Sequence, residues 1–234
     1  MVKGDREWTH LKSDLFGRVE QGHSTEAEPS DAWPVDVVRR DTRRAPWWTR
    51  ALAQYLAGRE AKCLRAMESR MPELAGQSFP RVCAWKGGVL VRSWIAGDPM
   101  QKAKPTGALY HHELLCLLAR LHRNGIAHND LAKEPNLLVR DDGKPAIIDL
   151  QLGRVFQRRG AYFRLLARED LRHLLKHKRT YLPQKLSQRE KDILSKPSFP
   201  ARLWRRTGKR VYIWITRSVF GWSDREGAGD RNLR

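Results

Sequence analysis

The sequence predicts an α+β chain, with strands and one helix in its first part and mainly helices around a single hairpin in its second. Three observations carry this. Val89-Leu90-Val91-Arg92-Ser93-Trp94-Ile95 is rich in β-branched and aromatic residues and closes on Ala96-Gly97-Asp98-Pro99, which reads as a strand and its turn. Leu114, Leu117, Leu118 and Leu121 recur at helical spacing, with Gly125 where a C-terminal cap belongs. Asn136-Leu137-Leu138-Val139 and Pro145-Ala146-Ile147-Ile148, joined across Asp141-Asp142-Gly143, form a hairpin signal.

The remaining elements fall in order around these. Leu15 to Glu20 reads as a strand pair around Gly17, and Gly22 to Asp31, rich in Ser, Glu and Pro, as a loop. Pro34 to Arg39 alternates well enough for a strand. From Trp47 to Met67 the pattern turns helical through Leu52, Tyr55, Leu56, Ala61, Leu64 and Met67, with Gly58 weakening or dividing the helix. A helix over Leu109 to Arg123 and another over Tyr162 to Lys178 complete the regular structure. The expected division is a small part over 1–96, a helical part over 97–222 and a loose tail over 223–234.

Composition narrows the function classes. The formal net charge of +19 implies an anionic partner: nucleic acid, a lipid surface or phosphorylated metabolites. Nucleic acid is disfavoured, because no zinc-finger spacing, RNP-like aromatic run or suitably placed GxxG loop is present. Cys63, Cys83 and Cys116 form no CxxC pair and read as core thiols in a reducing compartment. No secretory leader follows Met1, and no run approaches the roughly 18 apolar residues that span a bilayer, so a cytoplasmic protein is expected.

The chemistry gathers at the hairpin. His128-Asn129-Asp130 follows the best helix, Asn136 opens the first hairpin strand and Asp149 follows the second. A hairpin returns its ends to one neighbourhood, so Asn136 and Asp149 should lie together with Asp130 nearby. Carboxylate and amide oxygens in that arrangement suit Mg²⁺, leaving Asp130 free to accept a proton from an attacking hydroxyl. The blander alternative is that Asp130 and Asn136 cap turns and Asp149 ends a strand.

His128-Asn129-Asp130-Leu131, then Asn136, then Ile147-Ile148-Asp149, resembles the catalytic loop and metal-binding Asp of the protein-kinase-like superfamily. Within it, the stretches 128–139 and 147–153 resemble compact bacterial RIO-like and lipopolysaccharide-kinase-like enzymes. The resemblance implies a two-lobed fold with a reduced N-lobe and a helical C-lobe. It implies ATP and Mg²⁺, with Asp130 as catalytic base, Lys133 approaching the transferred phosphoryl group, and Asn136 and Asp149 holding the metal. It also implies a strand cation paired with a helix Glu to hold the nucleotide phosphates. No Val-Ala-Ile-Lys is present, so Arg39, with Arg40 beside it, and Glu60 are the candidates, against a surface arginine pair and a solvated Glu. Asp170 resembles a helix Asp that braces the catalytic loop, against a charge on a solvated face. His173 and His177 share a helix face but lack the Glu of HExxH, which favours a solvated basic face over a metal site.

Two departures from the family pattern are visible. Five residues instead of the usual four separate Asp130 from Asn136, and DFG is replaced by Asp149-Leu150-Gln151, which implies a constitutively arranged site. No GxGxxG is formed by Gly17 and Gly22, leaving that region as a candidate lid. The expected acceptor is a hydroxyl on protein, of the RIO-like serine/threonine kind, or on a glycolipid. The stretch after Asp149 lacks an Ala-Pro-Glu-like peptide-docking motif. A catalytically weak scaffold is the remaining alternative. The basic, Trp-rich segment 203–222 reads either as packed on the larger lobe or as an anchor to an anionic membrane face.

Overall fold

A computed structural model describes residues 6–24 and 33–195. The first part is a wholly antiparallel five-stranded sheet in the order β1-β2-β3-β5-β4, formed by Arg6–Asp14, Gly17–Ser24, Asp36–Asp41, Val82–Lys86 (β4) and Val89–Ser93 (β5). Helix α1, Trp47–Arg70, runs between β3 and β4. Next come the short β6 (Asp98–Pro99) and α2 (Met100–Ala103), then α3 (Ala108–Arg123) and β7 (Ile126–Ala127). The hairpin β8 (Leu137–Val139) and β9 (Pro145–Ile147) follows, with β10 (Arg154–Val155), α4 (Ala161–Tyr181) and α5 (Gln188–Ser195) after it. Strand β6 pairs with β8 to extend the hairpin, and β10 pairs with β7. The chain is therefore α+β as expected, its helices concentrated after the sheet. The segment 203–222 and the tail 223–234 lie outside the described residues.

Backbone chemistry explains several boundaries. Gly17 sits at φ 120°, and a Cβ there would lie 2.3 Å from the carbonyl oxygen of Asp41, so the β1–β2 turn needs a residue without a side chain. Thr49 Oγ1 donates to the carbonyl of Leu15 at 2.5 Å, tying the first turn of α1 to that hairpin. Pro72 stops α1 two residues after Arg70. Gly125 adopts φ 68° just beyond α3, the left-handed conformation that ends a helix, with the carbonyl of Phe156 close against it.

Helix α1 is continuous through Gly58, which packs beside Trp85. Its buried stripe is Ala53, Leu56, Ala57, Glu60, Ala61, Leu64 and Met67, while Leu52 and Tyr55, expected inside, are exposed. The apolar pattern of this helix is broad enough to fit two faces, and Ala53 and Ala57 allow the closer approach to the sheet. The expected leucine stripe of α3 is buried in full. Cys116, on the opposite side of α3, is exposed and so is not a core thiol; Cys63 is buried and Cys83 half-buried.

The main core ignores the expected division near residue 97. Cys63, Leu64 and Met67 of α1 pack in one cluster with Phe79, the leucine stripe of α3, Ile147 at the open end of the hairpin and Leu174 of α4. The second half of α1 thus belongs to the helical core, while its middle, through Ala57 and Ala61, packs on Leu90 of the sheet. One rigid helix holds sheet and helices in register.

Candidate active site

Strand register decides which side chains reach the junction of sheet and helices. Val38 lies opposite Arg92 and Arg40 opposite Leu90, so these four share a sheet face, and Leu90 packs on α1. Arg40 and Arg92 therefore point toward α1. Arg92 Nε lies 3.0 Å from Glu60 Oε1, an ion pair whose alignment does not make a hydrogen bond. Glu60 is fully buried, and burial raises its pKa; the nearby Asp149 adds to the rise, while Arg92 and Arg40 oppose it.

Arg39 is a correction to the expectation. Successive strand residues face opposite ways, so it points to the other side of the sheet. There Nε and one terminal nitrogen donate to Glu20 at 2.9 and 2.6 Å, and the guanidinium lies 3.9 Å from the centre of the Trp8 ring. The structure does not bring Arg39 together with Glu60. Arg40 takes the inward place, and Arg92 is a participant that sequence reasoning missed. The signal was available only through pairing: Val37 and Val38 are both apolar, so the strand's own alternation does not say which face is which.

The 128–136 loop is fixed from below by α4. Asp170, wholly buried, accepts hydrogen bonds from the backbone N–H groups of His128 and Asn129, both at 2.8 Å, and contacts His122 Nε2 at 3.2 Å. The bracing reading of Asp170 is thus the geometry found, not the solvated one. His128 Nε2 donates to the carbonyl of Ile148 at 3.0 Å, and its Nδ1 accepts from the N–H of Asp130 at 3.3 Å. That imidazole ties the loop to the strand leading into Asp149. Farther along, His177 bonds the carbonyl of Leu131 at 2.8 Å, and Tyr181 donates to the buried Glu134 at 2.5 Å. His177 is accordingly a loop brace on a buried face. Among the described residues no cluster of three or more His, Cys, Asp or Glu could hold a metal ion.

The extra loop residue is taken up in a single 3₁₀ turn over Glu134–Asn136, with Pro135 inside it. Asn136 still reaches back: its side-chain amide donates to the carbonyl of Asp130 at 2.9 Å and to Asp130 Oδ2 at 3.2 Å. Lys133 Nζ lies 3.1 Å from the same Oδ2. The N–H of Ile148 bonds the carbonyl of Asn136 at 3.0 Å, so hairpin closure sets Asn136 beside the approach to Asp149, as its spacing predicted.

Electrostatics separate the two aspartates. Burial raises the pKa of Asp130, with Asp149 adding to the rise while Lys133 opposes it. Burial also works against Asp149, but Arg40, Arg92 and a 2.6 Å hydrogen bond from Gln151 outweigh it and hold that carboxyl low. Asp149 is thus committed to its anionic form, whereas Asp130 is shifted toward accepting a proton. Asn129 and Asp149 both adopt left-handed backbone, at φ 63° and 62°, a conformation that Asn and Asp tolerate best among residues with side chains.

A divalent cation fits this donor set. Asn136 spends both amide hydrogens on Asp130, which turns its Oδ1 away as an acceptor, and one oxygen of Asp149 is engaged by Gln151. One carboxylate and one amide oxygen, completed by water and phosphate, match the sparse protein ligation that Mg²⁺ accepts.

A sheet joined through α1 to a helical core, with an aspartate loop braced from below, defines a protein of the protein-kinase-like superfamily. The family model described as RIO domain matches residues 35–190, and the chain belongs to that family. The match begins at β3 and ends in α5, so it takes in every residue of the junction just described. It is to the RIO model, and a relation to lipopolysaccharide kinases has no such support. No curated protein matches the chain.

Proposed function

We propose that the chain is an ATP- and Mg²⁺-dependent phosphotransferase acting on a hydroxyl acceptor. The observation that carries this reading is the paired state of the two aspartates: one held anionic beside two arginines, the other braced within hydrogen-bonding reach of Asn136 and Lys133 with a raised pKa. Membership of the RIO family supplies the context, since such domains are kinase-like.

In this mechanism the acceptor hydroxyl sits against Asp130, which takes its proton. The hydroxyl oxygen forms a bond to the γ-phosphorus while the bond from that phosphorus to the β,γ-bridging oxygen breaks, releasing ADP. Lys133 faces the transferred group, and Arg40 and Arg92 offset the charge of the remaining phosphates. Asn136 Oδ1 and Asp149 would hold Mg²⁺, which supplies charge neutralisation of the phosphate oxygens. Asp170, His128 and His177 act through the loop backbone and keep Asp130 in place.

A protein serine or threonine is the acceptor that RIO membership favours. A glycolipid hydroxyl is a second reading, motivated by the stretch between Asp149 and α4. That stretch is short and pinned, through β10 on β7 and the N–H of Phe156 on the carbonyl of Gly125 at 2.8 Å, which leaves little free backbone to dock a peptide. Labelled γ-phosphate transfer to protein and glycolipid acceptors, with wild type and Asp130→Ala compared, tests both. Loss of transfer in Asp130→Ala with nucleotide binding retained is the expected result. Transfer at the wild-type rate would remove the role given to Asp130. ATP and Mg²⁺ stabilisation with no turnover on any acceptor would make the chain a binding scaffold.

A further inference from the structure

The exposed face of α1 has a chemistry that phosphotransfer does not use. Trp47, Trp48, Leu52 and Tyr55 are 84, 49, 50 and 59 % exposed, and all lie in the first nine residues of the helix. At 100° per residue, Trp47, Ala51, Tyr55, Trp48, Arg59 and Leu52 fall within one sector of about 140°, opposite the stripe that packs on the sheet. Lys62 and Arg65 continue this sector along the helix, Arg44 and Arg50 lie near its N-terminal end, and all four are exposed; Arg43, also exposed, is paired with Asp41. Between residues 43 and 67 the only acidic side chain is Glu60, which is wholly buried on the opposite side. The surface is therefore an aromatic stripe accompanied by cations, with no exposed acidic side chain among residues 43–67.

Each part of this pattern suits the same surroundings. Indole and phenol rings favour the headgroup level of a bilayer, where an apolar body and a polar tip are both accommodated. Arginine and lysine reach lipid phosphates while their stems lie on the apolar boundary. A second copy of the chain fits poorly, because a two-fold contact would set the same cations against one another. We propose that this face of α1 docks on an anionic lipid bilayer, with the helix lying in the interfacial plane. The bilayer would then sit on the helix that carries Glu60. Arg59, inside the stripe, donates to the carbonyls of Leu152 and Gly153, both at 2.9 Å, so the docked helix is bonded directly to the segment that follows Asp149. Docking holds the candidate active site close to the headgroups.

Co-sedimentation of the full chain with vesicles tests this. Vesicles of phosphatidylglycerol and phosphatidylcholine should bind it and phosphatidylcholine alone should not, with affinity falling as salt rises. The triple variant Trp47→Ser, Trp48→Ser, Leu52→Ser should bind roughly tenfold more weakly or worse, with a melting temperature close to wild type. Leu109→Ser, which removes an exposed apolar side chain from α3, should change nothing. Wild-type vesicle affinity in the triple variant would overturn the proposal by moving the lipid contact to another segment, such as 203–222. So would equal binding to neutral vesicles, no binding at all, or a triple variant that loses only self-association or binding to an oligonucleotide.

Discussion

Asp130 is a charge kept in a place that penalises it, and pH exposes the penalty. Its folded pKa lies above the ordinary 3.8, so above the raised value folding must hold a carboxylate that prefers water. Below 3.8 the group is protonated in both states and the penalty vanishes. Asp130→Asn should therefore raise the melting temperature at pH 7, and the gain should close as pH falls through the raised pKa toward 3.8; melts across pH 3–8 check this. A gain that persists unchanged at pH 3 would assign it to something other than this charge. The arginines divide similarly by position. Arg40→Ala should weaken ATP binding about tenfold, whereas Arg39→Ala should leave it unchanged and cost about 1–2 kcal/mol of stability, Arg18 remaining beside the buried Glu20. Arg92→Ala leaves Glu60 buried without its ion-pair partner and should cost about 3 kcal/mol. Nucleotide titration and denaturant unfolding of the three variants separate these roles, and equal effects of Arg39→Ala and Arg40→Ala on ATP affinity would contradict the strand register.

At the scale of elements, α4 holds the active loop through side chains that face into the core. Asp170→Ala strands the N–H groups of His128 and Asn129 and should cost about 2–4 kcal/mol. It should also lower kcat more than it raises the KM for ATP, because the loop that places Asp130 loosens while the arginines remain. A variant with wild-type kcat would reduce Asp170 to a stability element. The three long helices α1, α3 and α4 and the hairpin were legible from their periodicities and turn residues, whereas the short α2 and α5 were not: the α3 stripe is buried as its spacing requires, and the hairpin turn falls on Asp141-Asp142-Gly143. Strand β4 was not legible, since Val82–Lys86 mixes half-buried and exposed positions with no clean alternation, and its pairing with β5 carries a register shift. The inward arginine was ambiguous for a related reason. Both Val37 and Val38 are buried, so only pairing with β5 shows that Arg40 and not Arg39 faces α1. Glu134 was silent as well, because its value depends on Tyr181 and His177, far along the chain.

For the whole molecule, α1 sets the geometry. It lies in the helical core through Leu64 and Met67, on the sheet through Ala57 and Ala61, and presents Glu60 at the junction. A division of the chain at residue 97 follows its turn-forming residues, but packing does not respect it, since the apolar pattern of α1 cannot say which of two neighbours each turn will meet. Packing is continuous from the sheet through α1 into the helical core. ATP with Mg²⁺ should then raise the melting temperature in a single cooperative transition, and two separate transitions would contradict the continuous core. The central claim, that Asp130, Asn136 and Asp149 form one phosphotransfer centre, is tested most directly by Mg²⁺-dependent ADP formation with an accepted substrate. Wild type, Asp130→Asn and Asp149→Asn should be compared at saturating ATP. Turnover should be present in wild type only with Mg²⁺ and fall at least about a hundredfold in both variants. Turnover at the wild-type rate in either variant would contradict it.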